Sequence, residues 1–190
     1  IVEDTTTNGR NRLYAINALG KFAAKEAVPT LIKALNDPLH RAQQSAVINL
    51  GLLGDLSAVE PLINRMLTEI TAGYVRDSAA MALAKLKDKK AVGPLVIMLG
   101  NSDSRVRRAA VRALSVLKDK SVVPALLTMT NDEDVLSVLM EAFASLGDLR
   151  TAAATASVAV NEQLRIASRL KALWTMGTLA DPSTSNAAVS

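Results

Sequence analysis

Cysteine and histidine, the side chains used most often for nucleophilic and metal chemistry, are almost absent from this sequence. The 190 residues include no cysteine and one histidine, His40. A thiol nucleophile, a thiolate metal site and a disulfide are therefore excluded. A serine nucleophile needs a partner base, and no recognisable motif surrounds His40. We expect His40 to be a solvated polar residue in a loop.

Three consecutive acids, Asp132, Glu133 and Asp134, are the best candidates for acid–base work. A run of acids before a helix interacts favourably with the helix dipole, and this is the interpretation we prefer. No phosphate-binding glycine motif is present, because Gly51 and Gly54 lie at a predicted helix end and turn. The sequence therefore predicts no catalytic, cofactor-binding or metal-binding residue and favours a protein that is not an enzyme.

Basic residues are slightly in excess, giving a net charge of +4, and they concentrate in the middle of the chain. Lysines in predicted turns would form one basic rim, able to meet phosphate or an acidic protein. The residues assigned to this rim are Lys87, Lys89, Lys90, Arg108, Arg112, Lys118 and Lys120. Aromatic residues for base stacking are scarce, so binding to a nucleic-acid backbone stays an alternative and base-specific binding is not expected.

The composition indicates what kind of element positions these side chains. Hydrophobic residues make up 49% of the chain, mostly Ala, Leu and Val, while aromatic residues make up 3%. Small and unbranched side chains allow helices to pack closely. Charged residues interrupt every apolar stretch before it reaches the roughly 18 residues of a membrane span. We expect a soluble helical protein and favour the cytoplasm slightly over other compartments.

A repeated phrase dominates the chain, for example LGLLGDLSAVEPL from Leu50 and LSVLKDKSVVPAL from Leu114. Its first apolar residue recurs at Leu19, Leu50, Leu83, Leu114, Phe143 and Leu173. The differences of 31, 33, 31, 29 and 30 indicate stacked supersecondary units. The predicted units are 10–36, 37–71, 72–102, 103–131, 132–160 and 161–180.

Each unit has two apolar runs with helical spacing, separated by a polar turn with Gly or Asp. The first run predicts an A helix and the second predicts a B helix. Because one pair cannot cover its own apolar face, successive pairs must stack. The sequence thus predicts an all-α fold, a right-handed α-solenoid of about six antiparallel helix pairs. Residues 1–9 would form an N-terminal segment, and 181–190, with Asp181-Pro182, a tail or the truncated start of a further repeat.

The string D-x-x-V-R-x-x-A-A-x-x-A-L, followed by a turn with Asp and then A-V-x-P-L, resembles the short HEAT repeats named after phycobilisome lyases. The resemblance covers roughly residues 10 to 180. It implies an Asp–Arg ladder that joins successive turns, formed by Asp55, Arg76, Asp88, Arg107 and Asp119. Some members of the family are metal enzymes with paired His-Glu motifs, which a chain with one histidine cannot provide.

The resemblance also implies that the B helices line the concave side of the array. Positions of the B helices that point away from the core would then form a groove that changes from basic to apolar along its length. The predicted partner-binding residues are Lys33, Asn64, Arg65, Ile97, Met98, Thr128 and Met129. Adaptable Met side chains beside basic and amide groups suit a partner helix or an extended peptide.

The function we predict from the sequence is a non-catalytic scaffold or adaptor that binds a protein or peptide without a cofactor. Two alternatives stay open. One is a phycobilin-lyase-like or chaperone-like subunit that acts on a client protein, and the other is nucleic-acid contact through the basic rim.

Overall fold

The computed structural model describes residue 2 and residues 6–22, 25–68 and 71–180. Regular structure within these ranges is helical. The α-helices are α1 (Gly9–Lys21), α2 (Val28–Ala34), α3 (His40–Leu53), α4 (Val59–Leu67), α5 (Gly73–Leu86), α6 (Val92–Met98), α7 (Ser104–Leu117), α8 (Val123–Leu127), α9 (Leu136–Leu146), α10 (Ala152–Val160) and α11 (Ile166–Ala180). The predicted tail 181–190, with its Asp181-Pro182 turn, lies outside the described residues.

Long and short helices alternate along the chain. The A helices are the odd-numbered ones, of 11 to 15 residues, and the B helices are the even-numbered ones, of 5 to 9 residues. The described residues thus form five A–B pairs and one further A helix, which confirms the all-α solenoid. Within the same part of the chain, no helix combines the length and the apolar character that crossing a membrane requires.

Left-handed residues end four of the A helices, as the turn pattern predicts. Gly54 and Gly147 have φ values of 72° and 55°, and glycine adopts this region without a steric penalty. At the equivalent positions Lys87 and Lys118 have φ values of 56° and 53°. The chain therefore makes the same sharp exit from each of these helices, at a steric cost where the residue is lysine.

Aspartates next to these left-handed residues cap the turn that opens each B helix. The Oδ1 atoms of Asp55, Asp88 and Asp119 each accept a hydrogen bond of 2.9 Å from the backbone N–H two residues later. Asp148 accepts the same bond at 3.0 Å. The assignment of Asp55, Asp88 and Asp119 to an Asp–Arg ladder is therefore wrong, since these carboxylates bind free backbone donors of their own turn.

The core is a continuous seam along the array. Leu50, Leu83, Leu114 and Phe143, which are four of the predicted repeat anchors, have no exposed surface, and Leu19 is half-buried. Because a single helix pair leaves one apolar face uncovered, each of these side chains is shielded only by its own and neighbouring pairs. The period read from the sequence therefore marks the core correctly through the fifth unit.

The sixth anchor, Leu173, is wrong, because 53% of this residue is exposed. Helix α11 packs on α9 and α10 through a different face, on which Ala172 and Thr175 are buried. The Thr175 hydroxyl lies 2.9 Å from the carbonyl oxygen of Lys171 in its own helix and 3.1 Å from that of Met140 in α9, so its one proton is shared between these two acceptors. The buried face of α11 is therefore shifted relative to the pattern of the earlier A helices, with Ala172 in the core instead of Leu173.

The A helices approach one another more closely than the B helices do. A Cβ atom on Gly51 of α3 would lie 2.8 Å from Cβ and 2.9 Å from Cα of Ala82 in α5. Neighbouring A helices are in contact along the array, whereas neighbouring B helices barely touch. A stack curves toward its more tightly spaced layer, so the A helices line the concave side. The expectation that the B helices line it is wrong.

Candidate functional site on the A helices

The predicted partner-binding residues lie in the B helices or directly after them, and they divide into exposed and buried side chains. Exposed ones are Lys33, Asn64, Ile97 and Thr128, and Arg65 is half-buried. Met98 and Met129 are buried, with 6% and 9% of their surface accessible. Both methionines belong to the core that joins α6 and α8 to the A helices, so their assignment to an exposed apolar groove is wrong.

Arg65 has a structural contact that the sequence did not indicate. Its Nη1 atom donates a hydrogen bond of 3.0 Å to the backbone carbonyl of Leu35 at the end of α2. The bond links two consecutive B helices across the gap between them. Arg65 therefore ties the second unit to the first.

The predicted basic rim is in fact two separate groups. The lysines of the rim are exposed and lie in or next to the turns between A and B helices, and they are Lys87, Lys89, Lys90, Lys118 and Lys120. Arg108 and Arg112 instead lie within α7, on the concave face. The assignment of these two arginines to the rim is therefore wrong.

An arginine–aspartate ladder exists, but its acids are not the predicted ones. Arg107 donates to Asp132 at 2.7 Å, and its guanidinium also bonds the backbone carbonyl of Asn101 at 2.9 Å. Arg12 makes the equivalent pair with Asp37 at 2.7 and 2.9 Å. In both pairs the acid follows the arginine by 25 residues, nearly one repeat, a spacing that the sequence analysis missed. Asp132 also caps the next turn as predicted for the acid run, accepting from Asp134 N–H at 3.1 Å.

Arg76, the other predicted ladder arginine, occupies the position in α5 that Arg107 occupies in α7. Its Nε donates to the backbone carbonyl of Thr71 at 3.2 Å. Arg76 is thus bonded to the loop that precedes its own helix, as Arg107 is. Its predicted pairing with Asp55, Asp88 and Asp119 is wrong, because these three acids cap their own turns.

The Arg12–Asp37 pair is almost fully buried, with 6% and 3% of the two side chains exposed. Burial alone would raise the pKa of Asp37, but hydrogen bonds from Arg12 and from the Leu39 N–H, with the Arg12 charge, lower it below its usual value. Gln43 of α3 adds a bond of 2.7 Å to the Asp37 carbonyl. One loop therefore connects the first two A helices.

A cavity of about 570 Å³ opens on the concave face of the A helices. Its lining comes from α5, α7, α9 and α11 and from the loops that precede α9 and α11. Helices that are three units apart can border one cavity only where the array curves toward them. The cavity therefore supports the concave position of the A layer and makes this face the candidate functional site.

Arg108, Arg112 and Asp77 are the central charged side chains of this cavity. Arg108 and Arg112 are four residues apart on α7, so they project from the same face of the helix. Asp77 of α5 is half-buried opposite them. Loss of solvent raises the pKa of Asp77, although the charges of Arg112, Arg108 and Arg105 act in the other direction.

The arginines at the margin of the cavity are already paired. Arg105 bonds the Asp103 carboxylate at 3.0 and 3.2 Å, and Arg165 lies 3.4 Å from Glu133. Among the described residues, Arg108 and Arg112 have no carboxylate within ion-pair distance. The spacing of arginines at 105, 108 and 112 on one helix face is the signal in the sequence that indicates this cluster, whereas the rim assignment included only Arg108 and Arg112.

The described side chains that line the cavity are mainly charged, which suits the binding of a charged group. His40 lies at the start of α3, exposed, with Nδ1 at 3.3 Å from Gln43 Oε1. Within residues 6–22, 25–68 and 71–180, no three His, Asp or Glu side chains form a cluster that would hold a metal ion.

A smaller cavity of about 360 Å³, between α1 and α3, is lined by Asn17, Arg41 and Ile48 among others.

Comparison with known proteins gives consistent relatives. The chain is 36% identical over 107 residues to the phycocyanobilin lyase subunit alpha of Picosynechococcus sp., covering 52% of this chain and 39% of that protein. The protein of the same name from Nostoc sp. is 40% identical over 97 residues, covering 46% and 34%. The chain thus spans less than two fifths of the length of either relative in these matches.

A solved structure with a similar fold is the complex of CpcE and CpcF of phycocyanin lyase from Nostoc sp. PCC7120. It has a TM-score of 0.69 and 24% identity over 83% of this chain and 66% of that chain. The model of HEAT repeats matches residues 4–72 and 69–147, which together make up most of the sequence. The resemblance carried by the repeated phrase is confirmed, and the chain belongs to the HEAT-repeat family.

Proposed function

We propose that this chain is part of a phycobilin-lyase-like subunit that binds a client protein and a tetrapyrrole without supplying the catalytic groups itself. The observation that carries the proposal is the sequence identity to two proteins named phycocyanobilin lyase subunit alpha. The charged concave cavity offers a place for a ligand. The identity extends over about half of the chain, so activity, substrate and partner are all part of the proposal.

The test uses the 190-residue chain, phycocyanobilin and an apophycocyanin subunit. If the proposal is right, mixing the chain with phycocyanobilin changes the visible absorbance of the pigment, and the apoprotein co-elutes with the chain in size-exclusion chromatography. Serum albumin in place of apophycocyanin is the control for unspecific association. An unchanged pigment spectrum together with separate elution of the two proteins contradicts the proposal.

A second candidate function is the scaffold that the sequence predicts, with the partner on the outer face of the B helices. One observation favours it: Ile97 is 65% exposed on α6, Lys33 and Asn64 are exposed on α2 and α4, and Thr128 is exposed at the end of α8. An apolar side chain among polar ones is a common centre for a small interface. The names of the relatives give no support to nucleic-acid binding through the turn lysines.

Substitution at Ile97 separates the two candidates. Ile97→Asp combined with Lys33→Glu is expected to abolish recovery of a protein partner on immobilised chain if the outer face of the B helices binds it. Leu149→Asp is the matched control, because Leu149 is 70% exposed but lies in the turn before α10. Recovery that is the same for both variants and for the unmodified chain contradicts a partner site on the B helices.

A further inference from the structure

The cavity on the A helices contains two cationic side chains that the described part of the protein leaves without a partner. Arg108 and Arg112 project from the same face of α7 into the cavity. The four other arginines that the ladder and the cavity margin use, Arg12, Arg105, Arg107 and Arg165, each pair with a carboxylate at 2.7 to 3.4 Å. Two unpaired guanidinium groups beside paired ones indicate a place for an anion from outside.

The charge of the cavity limits what this anion can be. Asp77 faces the two arginines, so the central cluster carries a net charge of about +1 when the carboxyl group is ionised. The pairs at the margin, Arg105 with Asp103 and Arg165 with Glu133, are neutral overall. Asp134 adds a negative charge at the margin, 3.9 Å from an Arg107 that also pairs with Asp132, so the surplus positive charge is confined to the centre of the cavity. A single negative charge, as on a carboxylate, balances the cluster, whereas a doubly charged phosphate exceeds it.

The size of the cavity limits the ligand further. A volume of about 570 Å³ lies in the range of sites for organic molecules of drug size, about 300 to 1,000 Å³. It is larger than a free inorganic ion needs. Apolar contact is available from Val138 and Ala167 at the edge of the cavity, next to the charged centre. The lining therefore suits a molecule with an apolar body and an acidic end.

We propose that this cavity is a binding site for a small organic carboxylate, with Arg108 and Arg112 as the residues that bind the carboxylate group. Asp77 lies beyond ion-pair distance of the two guanidinium groups and acts through its charge, which reduces the net charge of the cluster to that of one bound anion. The site rests on the geometry of α5, α7 and α9, and it depends on the proposed function only in that a tetrapyrrole with propionate groups would be one such ligand.

Two pairs of probes test the site, each comparing an acid with its neutral ester. The first pair is 1-pyrenebutyrate and its methyl ester, measured by fluorescence, and the second is phycocyanobilin and its dimethyl ester, measured by visible absorbance. The chain is expected to bind 1-pyrenebutyrate about tenfold or more tightly than its methyl ester. This ratio corresponds to the free energy of a hydrogen bond to a charged group.

Variants then assign the preference to residues. Arg108→Gln with Arg112→Gln is expected to lower affinity for the acid to that for the ester. Lys89→Gln with Lys120→Gln is the matched control: it removes the same charge from exposed residues in the turns after α5 and α7. Asp77→Asn is expected to raise affinity for the acid several-fold, because the positive charge is then less compensated. Circular dichroism of each variant is the control for correct folding.

Each result decides one question. Equal binding of 1-pyrenebutyrate and its ester, or an acid preference that survives the double arginine variant, overturns the carboxylate site. An acid preference for 1-pyrenebutyrate that needs the two arginines, without any binding of phycocyanobilin, supports the site and contradicts the proposed lyase-like function. A preference that needs the arginines with both pairs of probes supports the two together.

Discussion

Arg12 is the single side chain whose loss we expect to cost the most stability. Replacing it with methionine leaves Asp37 buried without its cation, and breaking a buried pair in this way costs about 3–5 kcal/mol. Arg105→Ala is the control, because the Arg105 side chain is 63% exposed, and exposed pairs contribute about 1 kcal/mol or less. Urea unfolding followed by circular dichroism measures the free energy of unfolding of both variants. An equal loss of this free energy in the two variants would show that burial of the Arg12–Asp37 pair does not matter.

Asp77 predicts a pH dependence of stability with a defined sign. The folded state raises the pKa of this carboxyl group through loss of solvent, so the folded chain holds the proton more tightly than the unfolded chain does. The contribution of Asp77 to the free energy of unfolding is fully present below the ordinary pKa of the carboxyl group. It is lost as the pH rises through the raised pKa of the folded state. Asp77→Asn should therefore stabilise the protein at pH 7 and give no gain at pH 3.

Thermal unfolding of the two proteins over this pH range checks the prediction. A variant that is less stable than the parent at pH 7 would mean that attraction to Arg108 and Arg112 outweighs the loss of solvent. The control is Asp134→Asn, since Asp134 is exposed at the margin of the same cavity.

Side-chain directions were the least predictable feature of the site. The apolar spacing correctly places Ile97 outside the core, but it assigns the adjacent Met98 to the same exposed surface, and Met98 is buried at the end of α6. A helix of seven residues has too few positions to fix which side faces the core. The acids of the turns were assigned to arginines because the sequence shows charge but not which backbone donors lack a partner.

At the scale of elements, the contact between α3 and α5 predicts a strong effect at one glycine. Gly51→Ala places a methyl group within 2.9 Å of the α5 backbone, so the two helices must move apart. We expect a loss of about 1–3 kcal/mol, typical of overpacking. Gly93→Ala is the matched control: no atom lies within 4 Å of the added group, and the higher helix propensity of alanine stabilises α6 by up to about 1 kcal/mol. Destabilisation by both substitutions to the same extent would contradict this view of the A layer.

The ends of the A helices allow a stabilising substitution. Lys118 has a φ of 53°, where a side chain costs about 1 kcal/mol, and the equivalent positions in other units are Gly54 and Gly147. Lys118→Gly should therefore raise the free energy of unfolding by up to about 1 kcal/mol. Ser115→Gly, inside α7, should lower it, because glycine weakens a helix interior. Denaturant titration of both variants checks the opposite signs.

The sequence predicts the elements well and their arrangement less well. Helix pairs, turns and the anchors Leu50 to Phe143 follow from periodicity, because each depends on residues close together in the chain. Which layer lies inside the curve depends on small differences in the distance between helix axes, such as the contact of Gly51 with Ala82. The cavity was missed for the same reason, since it is formed only where four A helices converge.

At the scale of the whole molecule, we expect unfolding to begin at α11. This helix packs on α9 and α10 but leaves Leu170, Leu173 and Trp174 more than half exposed. In a repeat array each unit is stabilised mainly by its neighbours, so an element covered on one side unfolds at lower cost. Trp174 is the only tryptophan of the chain, and the ammonium group of Lys171 lies 4.6 Å from its ring centre.

Trp174 fluorescence therefore reports on α11 alone, while circular dichroism reports on all helices. The fluorescence transition in urea should come at a lower concentration and with a smaller slope than the circular dichroism transition. Coincident transitions would show that the array unfolds as one cooperative unit. Thr175→Val, which removes the buried hydroxyl that lies within hydrogen-bond distance of the Met140 and Lys171 carbonyl groups, should shift only the fluorescence transition to lower urea.

The turn shared by α3, α5, α7 and α9, a left-handed residue followed by an aspartate cap, also has a consequence for how such a gene can change. Because these four units leave their A helices with the same geometry, duplication or deletion of one of them by recombination leaves the other turns intact. The proposed carboxylate site requires four consecutive A helices from α5 to α11, so a change of length there would destroy it. Natural variation in length should therefore be tolerated at the unit that contains α3 and selected against from α5 onward.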